Sequence, residues 1–496
     1  MTGEAAEFIV GKAVPGSPEH PNLRTGEQFK ESLRDGRHVV VDGRDVEDVT
    51  TEPTLMGGID TLAAMFDAQL DPAHADVTTS VDPDTGERIA TGWLVPRSRE
   101  DLRRHVAMAK FSTFQTFGEF GRPPDYGPVK AIGFLAFEHI IRQAEPDAHD
   151  KIMRFLRAGQ RNNLISGDII IDVQANRKLP MPEQAGRLRV VEERRDGIVI
   201  SGSKAGNTVM AQGHMGTISM PPPNPTMPEE CMIWSAVPSN APGLTMISRE
   251  ALVTGTEHPE DHPLDAGGEE NDSLVLFDKV FIPWEYVFSY RNPKLGEIYY
   301  VLGQFAFWKI LTRMSFRAEI FAGAAQAIVN ALGTDHIPAV RALVAEVIAY
   351  SAALKGMIIA AVETAEPTES GVMLPNVDYV TAGRLNAIVE YPKIMQILRE
   401  LSGQGLISRV PRSTWERADI GPLLDEYLPG YNITARDKNR LFNLIWDICC
   451  SPAAMRIALF ENINATPAAG LREQLYRVYD RGEGLSAVLR KAGIEE

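Results

Sequence analysis

The period of the hydrophobic pattern changes twice along this chain, and that change limits the architectures open to it. From about Thr25 to about Glu145 the apolar residues recur mostly with helical spacing. From about Asp168 to about Tyr290 the spacing falls to two, and from about Leu302 to the end helical spacing returns in long segments. In the first zone "TGEQFKESLRDG" opens on Thr25 with a Glu in capping spacing and closes on Gly36, while "RHVVVDGRDVEDV" reads as a hairpin turning at Asp42 and Gly43. In the second, "GDIIIDVQANR", "RLRVVEERRDGIVISGSKAGNT", "MIWSAVPS", "LTMISRE" and "DSLVLFDKVFIPWEYVF" read as strands between Gly, Pro and Asn turns, and "MPPPNPTMPEE" is too rich in proline for a central strand. Several segments of the third, such as "VRALVAEVIAYSAALKGMIIAAVETAE", are apolar over most of their circumference, as in helices buried in a bundle or against another subunit. The expected organisation is α+β: a mainly helical domain over 1–150, a β domain over 151–290 and a helical bundle that also serves oligomerisation over 291–496.

Charge and cysteine content narrow the function classes. A net charge of -16 over 496 residues repels nucleic acid and anionic membrane. Cys231, Cys449 and Cys450 lack metal-ligand spacing and fit a reducing cytoplasm. The first residues, "MTGEAAEFIVGKAVPG", lack a basic stretch followed by an apolar run, and stretches such as "FAGAAQAIVNALG" stop short of the roughly 18 to 20 apolar residues of a membrane span, so a soluble cytoplasmic protein is expected. His258 and His262 in "EHPEDHP" sit among acids but beside prolines, with no third ligand close in sequence; an exposed turn is the expected reading, and no metal site is expected.

The stretch "GEFGRPPDYGPVK" interrupts helical pattern on both sides. It reads either as a plain helix-breaking loop or as a stiff loop that holds Arg122 and Tyr126 toward a ligand. Together with "TGEQFKESLRDGRHVVVDGRDVEDVTTEP", "GIVISGSKAGNT", "EENDSLVLFDKVFIPWEYVFSYR" and "LSGQGLI", in matching order from about residue 24 to about residue 462, it resembles the 4-hydroxyphenylacetate 3-hydroxylase family, the oxygenase component of two-component, reduced-FAD-dependent aromatic monooxygenases.

The resemblance implies an acyl-CoA dehydrogenase-like fold with a central β barrel, a C-terminal four-helix bundle and a homotetramer or dimer. It implies FAD, used as FADH2 from a separate NAD(P)H-dependent flavin reductase, and oxygen transfer from a C4a-hydroperoxyflavin to a small aromatic substrate. No Gly-x-Gly-x-x-Gly fingerprint follows a strand pattern, which suits a component that borrows its reduced flavin. Carried over residue by residue, Arg122 and Tyr126 bind the phenolic oxygen, and Asp168 stands where the family has a histidine. An aspartate is normally anionic and would repel a phenolate. Either it pairs with Arg122, or it is protonated, or the substrate is a nitrogen-bearing aromatic, which is the favoured reading of the three; a shift of alignment would make Asp172 the relevant acid. Ser219, Met220 and Pro221 fall on the family's substrate loop. Ile169, Ile170, Gln174, Ala175, Asn176, Arg177, Thr208, Ser451, Ala454, Met455 and Arg456 fall on its FAD contacts, with close helix packing an equally open reading of Ala454. Gly403 and Gly405 would permit close backbone approach to a flavin. An N-oxygenase or an acyl-CoA-type dehydrogenase on the same scaffold is the alternative; an iron-sulfur dehydratase lacks its thiolates, since the first cysteine is Cys231.

Overall fold

The computed structural model describes residues 8, 16–122, 128–219, 227–253, 255, 257–293, 302–464 and 466–494. Its first helix, α1 (Gly26–Ser32), begins with a capping box whose partner is Gln28 and not the acid of Glu27: the Thr25 hydroxyl accepts from Gln28 N at 3.1 Å and Gln28 Oε1 accepts from Thr25 N at 2.9 Å. The hairpin follows as β1 (His38–Val41) and β2 (Arg44–Asp45), with Asp42 and Gly43 both at positive φ, 49° and 74°. Those angles are what a tight two-residue hairpin demands. Helices α2 (Pro53–Leu70), α3 (Arg99–Gln115), α4 (Val129–Ala136) and α5 (Ala148–Asn162) complete the first zone, with a small hairpin of β3 (Thr79–Val81) and β4 (Arg88–Ala90) between α2 and α3.

The middle zone supplies β5 (Ser166–Ile169), β6 (Arg189–Glu193), β7 (Gly197–Thr208), β8 (Met215–Ile218), β9 (Ile233–Pro238), β10 (Leu244–Ser248), β11 (Asp272–Pro283) and β12 (Val287–Tyr290). They form a six-stranded sheet in the order β2-β1-β10-β11-β7-β6 and a four-stranded sheet in the order β12-β9-β8-β5. The N-terminal hairpin therefore belongs to the middle layer, with β1 running parallel to β10 and His38 opposite Thr245. Strand β8 is absent from the sequence reading because "MGTI", fully buried, shows no alternation. On β7, Gly202 takes φ 133° opposite Phe277, and a Cβ there would come within 2.6 Å of the Leu188 backbone.

The last zone packs α6 (Gln304–Leu332), α7 (Pro338–Glu363), α8 (Val377–Ser402) and α9 (Ala435–Cys449), followed by α10 (Pro452–Leu459) and α11 (Ala468–Val478). One hydrophobic core runs without interruption from Leu23 through the sheets to Leu471. Contrary to the sequence expectation, α7 is long and apolar enough to cross a membrane, with a mean hydropathy of 1.7 over an 18-residue window, of which only 28% is buried. It packs along α6 and α8, and its outward face leaves Ile348 and Ile359 exposed.

Because Gly202 alone tolerates its backbone angle and the contact with Leu188, Gly202→Ala is expected to destabilise the protein by about 1 to 3 kcal/mol, read as a lower thermal midpoint.

Candidate active site

The loop that carries Arg122 leaves α3 through two residues at positive φ, Phe117 at 52° and Gly118 at 80°. A Cβ on Gly118 would come within 2.8 Å of the Arg317 side chain of α6, and one on Gly121 within 2.5 Å of the Phe460 ring. These glycines let the loop press against the helical bundle on both sides. Arg122 is buried there. Its backbone N–H donates to Glu270 Oε1, one guanidinium N–H donates to Gly121 O at 2.8 Å, and the guanidinium carbon lies 4.4 Å from the centre of the Phe460 ring. Tyr126, the loop's second expected ligand, lies outside the described residues, as do Met220 and Pro221.

Asp168 is the penultimate residue of β5, opposite Thr217 of β8. Its Oδ2 is buried and has no hydrogen-bond partner among the described residues. The neighbouring cation is one that sequence reading missed. Lys130, in the first turn of α4, lies within electrostatic reach of both Asp168 and Arg122. Burial pushes its ammonium below its ordinary value; Asp168 draws it back up, and Arg122 pushes it further down. The available signal was a lysine inside the apolar run "VKAIGFLAF". Asp172, the other acid considered, is engaged elsewhere: Lys204 Nζ donates to its Oδ1 at 2.7 Å and Arg187 to its Oδ2. Ser219, just after β8, is buried with its hydroxyl unpartnered among the described residues, while its N–H donates to Ile169 O at 3.1 Å.

The residues expected to hold FAD fall into three places. Beside Asp168, Ile169 is fully buried and Ile170 half-buried, and the chain then runs into the turn Gln174, Ala175, Asn176 and Arg177, where Gln174, Asn176 and Arg177 are exposed. Thr208 ends β7, buried, its hydroxyl donating to Asp272 Oδ1 at 2.7 Å. What that hydroxyl retains toward a ligand is acceptance, which suits an N–H. Ser451 caps α10, accepting from Ala454 N at 3.1 Å, and Ala454 and Met455 line a cavity of about 200 Å³ with Tyr391, Met395, Arg399 and Cys449. Gly403, at φ 54°, has open space where a side chain would be, whereas Gly405 is packed under Phe442. The unpartnered buried Asp168 and Ser219 oxygens and the exposed cation of Arg177 are a donor set compatible with a flavin and a polar aromatic ligand.

Arg456 is largely shielded, with 9% of its side chain exposed, and its guanidinium is already engaged. It donates to Glu270 Oε2 at 2.9 Å and to Asp272 at 2.8 and 2.5 Å, and lies 4.5 Å from the Phe460 ring centre. Burial alone would raise the Asp272 carboxyl, but Arg456, then Arg249 and Thr208, outweigh it and hold it down to about 2.

Residues 25–289 match the model of the 4-hydroxyphenylacetate 3-hydroxylase N terminal, and residues 297–493 match that of its C terminal. The crystal structure of the oxygenase component of 4-hydroxyphenylacetate 3-monooxygenase, complexed with FAD and 4-hydroxyphenylacetate, aligns with a TM-score of 0.88 over 95% of this chain and 99% of that chain, at 28% identity. The chain is 33% identical over 477 residues to the oxygenase component of 4-nitrophenol 4-monooxygenase/4-nitrocatechol 2-monooxygenase of Rhodococcus opacus, covering 90% of this chain and 86% of the relative. It is 30% identical over 465 residues to an FADH2-dependent monooxygenase of Burkholderia cepacia, covering 90% and 87%. The α+β layers are thus those of an acyl-CoA dehydrogenase-like flavoprotein. Within that class the chain belongs to the 4-hydroxyphenylacetate 3-hydroxylase family: it is the oxygenase component of an FADH2-dependent aromatic monooxygenase, served by a separate reductase.

Removing the Arg456 cation would leave Glu270 and Asp272 buried with too little positive charge. Arg456→Met is expected to cost about 3 kcal/mol or more, read as a lower midpoint in denaturant or heat. Because the folded Asp272 carboxyl lies below its ordinary value, its stabilising contribution is present above about pH 4 and is lost as the pH falls toward 2.

Proposed function

We propose that the substrate is a phenol, that Asp168 accepts its hydroxyl proton, and that Arg122 and Lys130 stabilise the phenolate character that develops as the ring is hydroxylated. What supports this reading is the unpartnered Asp168 Oδ2 within electrostatic reach of Lys130, which in turn also feels Arg122. An O–H donor satisfies that oxygen, and losing its proton to Asp168 enriches the ring in electrons at the carbons ortho and para to the oxygen. With Lys130 within reach, Asp168 does not meet a ligand as an isolated anion, which weakens the case for an ammonium at this point. This supports a phenol over the nitrogen-bearing aromatic considered when Asp168 was read against Arg122 alone. Tyr126, Ser219, Met220 and Pro221 would complete the substrate pocket.

Reduced FAD, when bound, would supply the two electrons that activate O2, one atom of which goes to the ring and the other to water. Ile169, Ile170, the turn Gln174 to Arg177, Thr208, Ser451, Ala454, Met455 and Arg456 would hold it, with Thr208 accepting from a flavin N–H and Arg177 facing phosphate. Arg456 acts in this arrangement through Glu270 and Asp272. The uncovered apolar face that includes Ile348 and Ile359 of α7 and Val389 of α8 supports a homotetramer or dimer in which a second copy buries it.

The test supplies reduced FAD from a flavin reductase and NADH, with matched phenols and anilines under labelled O2. Ring-hydroxylated phenols carrying one labelled atom are expected; preferential oxidation of the anilines would overturn the reading. Lys130→Met is expected to lower kcat/KM on phenols about a hundredfold. The loss in Asp168→Asn is expected to shrink as the pH rises through the substrate's own pKa, because a phenolate arrives already deprotonated. Light scattering of the full chain is expected to give a mass two or four times 54.6 kDa.

A further inference from the structure

The segment 257–271, the later part of the connection from β10 to β11, is strapped to α9 by polar contacts at several points. Glu260 pairs with Arg436 at 2.5 Å and with Arg440 at 3.3 Å, Asn443 Nδ2 donates to Glu260 O at 2.8 Å, and Leu264 N donates to Asp447 Oδ2 at 3.1 Å. Under this strap, His262, Asp265 and Asp447 each offer a ligand atom, and the three atoms lie within 4.8 Å of one another. His262 Nδ1 and Asp447 Oδ1 are 3.3 Å apart. That is close to the roughly 3.4 Å separating two donors on one tetrahedral ion with bonds of about 2.1 Å. Reading His262 as a lone loop histidine failed because its partner comes from 185 positions downstream, where sequence spacing carries no signal.

The charges around this point do not balance. Glu119 has Arg317 at 3.3 Å and Glu269 has Arg249 at 2.6 Å. Asp265 is 93% buried, from its 7% exposure; its backbone O accepts from Gly268 N at 3.0 Å, but its carboxylate has no hydrogen bond or ion pair among the described residues. Asp447 is fully buried, and its ring partner His262 is partly exposed, which leaves a path from solvent. A buried carboxylate facing a second carboxylate calls for a cation between them. A single imidazole nitrogen with two carboxylate oxygens is a donor set for a divalent transition metal such as Zn²⁺ or Mn²⁺.

We propose that His262, Asp265 and Asp447 bind one divalent transition-metal ion, which clamps the segment before β11 onto α9. The ion would have a structural consequence close by, because the Ser451 hydroxyl that caps α10 donates to Asp447 O at 3.1 Å. It would thereby fix the start of the helix that carries Ala454, Met455 and Arg456. The proposal rests on these three side chains alone and stands whether or not the substrate is a phenol.

The experiment uses the full chain, dialysed against a chelator and then titrated with Mn²⁺ or Zn²⁺ alone, with bound metal and thermal midpoint both measured. Uptake of one ion per chain with a rise in midpoint is expected, and Asp265→Asn and His262→Gln are expected to weaken binding more than about tenfold. His262 is partly exposed, so its variant separates a lost ligand from a lost fold, and circular dichroism of both variants without metal checks this. Failure of the wild-type chain to take up either metal would overturn the proposal. So would binding of equal strength in both variants, which would mark an adventitious ion elsewhere.

Discussion

A single buried carboxylate ties the three zones of the chain together. Glu270, fully inaccessible to solvent, accepts the backbone N–H of Arg122 from the loop after α3 on one oxygen and the Arg456 guanidinium from α10 on the other. Two residues on, Asp272 takes the other side of the same guanidinium and receives Arg249 and the hydroxyl of Thr208. Each of these charges would be costly alone in a low-dielectric interior, so each holds its partners in place. The backbone at Arg122, the end of β7 and the first turn of α10 are thus placed relative to one another by one polar cluster, with the Phe460 ring under both Arg122 and Arg456.

That cluster explains why the glycines of the Arg122 loop matter. Hydrogen bonding to Glu270 fixes the backbone only if the loop comes close to the bundle, and Gly118 and Gly121 are where a side chain would collide with Arg317 and Phe460. The loop is positioned by removing side-chain volume at two points and by one buried acceptor. The prolines that first draw the eye lie beyond the described residues.

The fold was readable in the sequence where period and local chemistry agree. The hairpin at Asp42 and Gly43, the long strands β7 and β11 and the helices of the last zone all carry their own signal. What could not be read was non-local. Nothing in "HVVV" says that it pairs with Thr245 to Ile247 as well as with its hairpin partner, and "MGTI" is too short and too evenly buried to show a strand period. The helix α7 misleads in the other direction, since an apolar helix awaiting a protein neighbour and one awaiting lipid have the same composition. At the candidate site, the motifs pointed to Arg122, Asp168 and Thr208. Glu270 and Asp272 were visible only as acids preceding a strand, and Lys130 only as an odd residue in an apolar helix.

Lys130 changes what Asp168 means. An isolated anion in a pocket that must favour phenolate works against the chemistry, and a histidine avoids the conflict by being neutral or cationic as required. On the proposed reading an aspartate beside a half-buried lysine resolves it differently, because the pair is neutral as a unit while keeping one proton acceptor and one donor. The lysine must be withdrawn from bulk water for this to work: in water its charge would be screened from Asp168 and from the substrate alike. Its depressed proton affinity is the consequence of that burial, and it leaves Lys130 more ready to share a proton with an oxygen anion than a surface lysine would be. On the proposed reading the acid at position 168 acts together with the base at position 130, which β5 and α4 bring within electrostatic reach of each other.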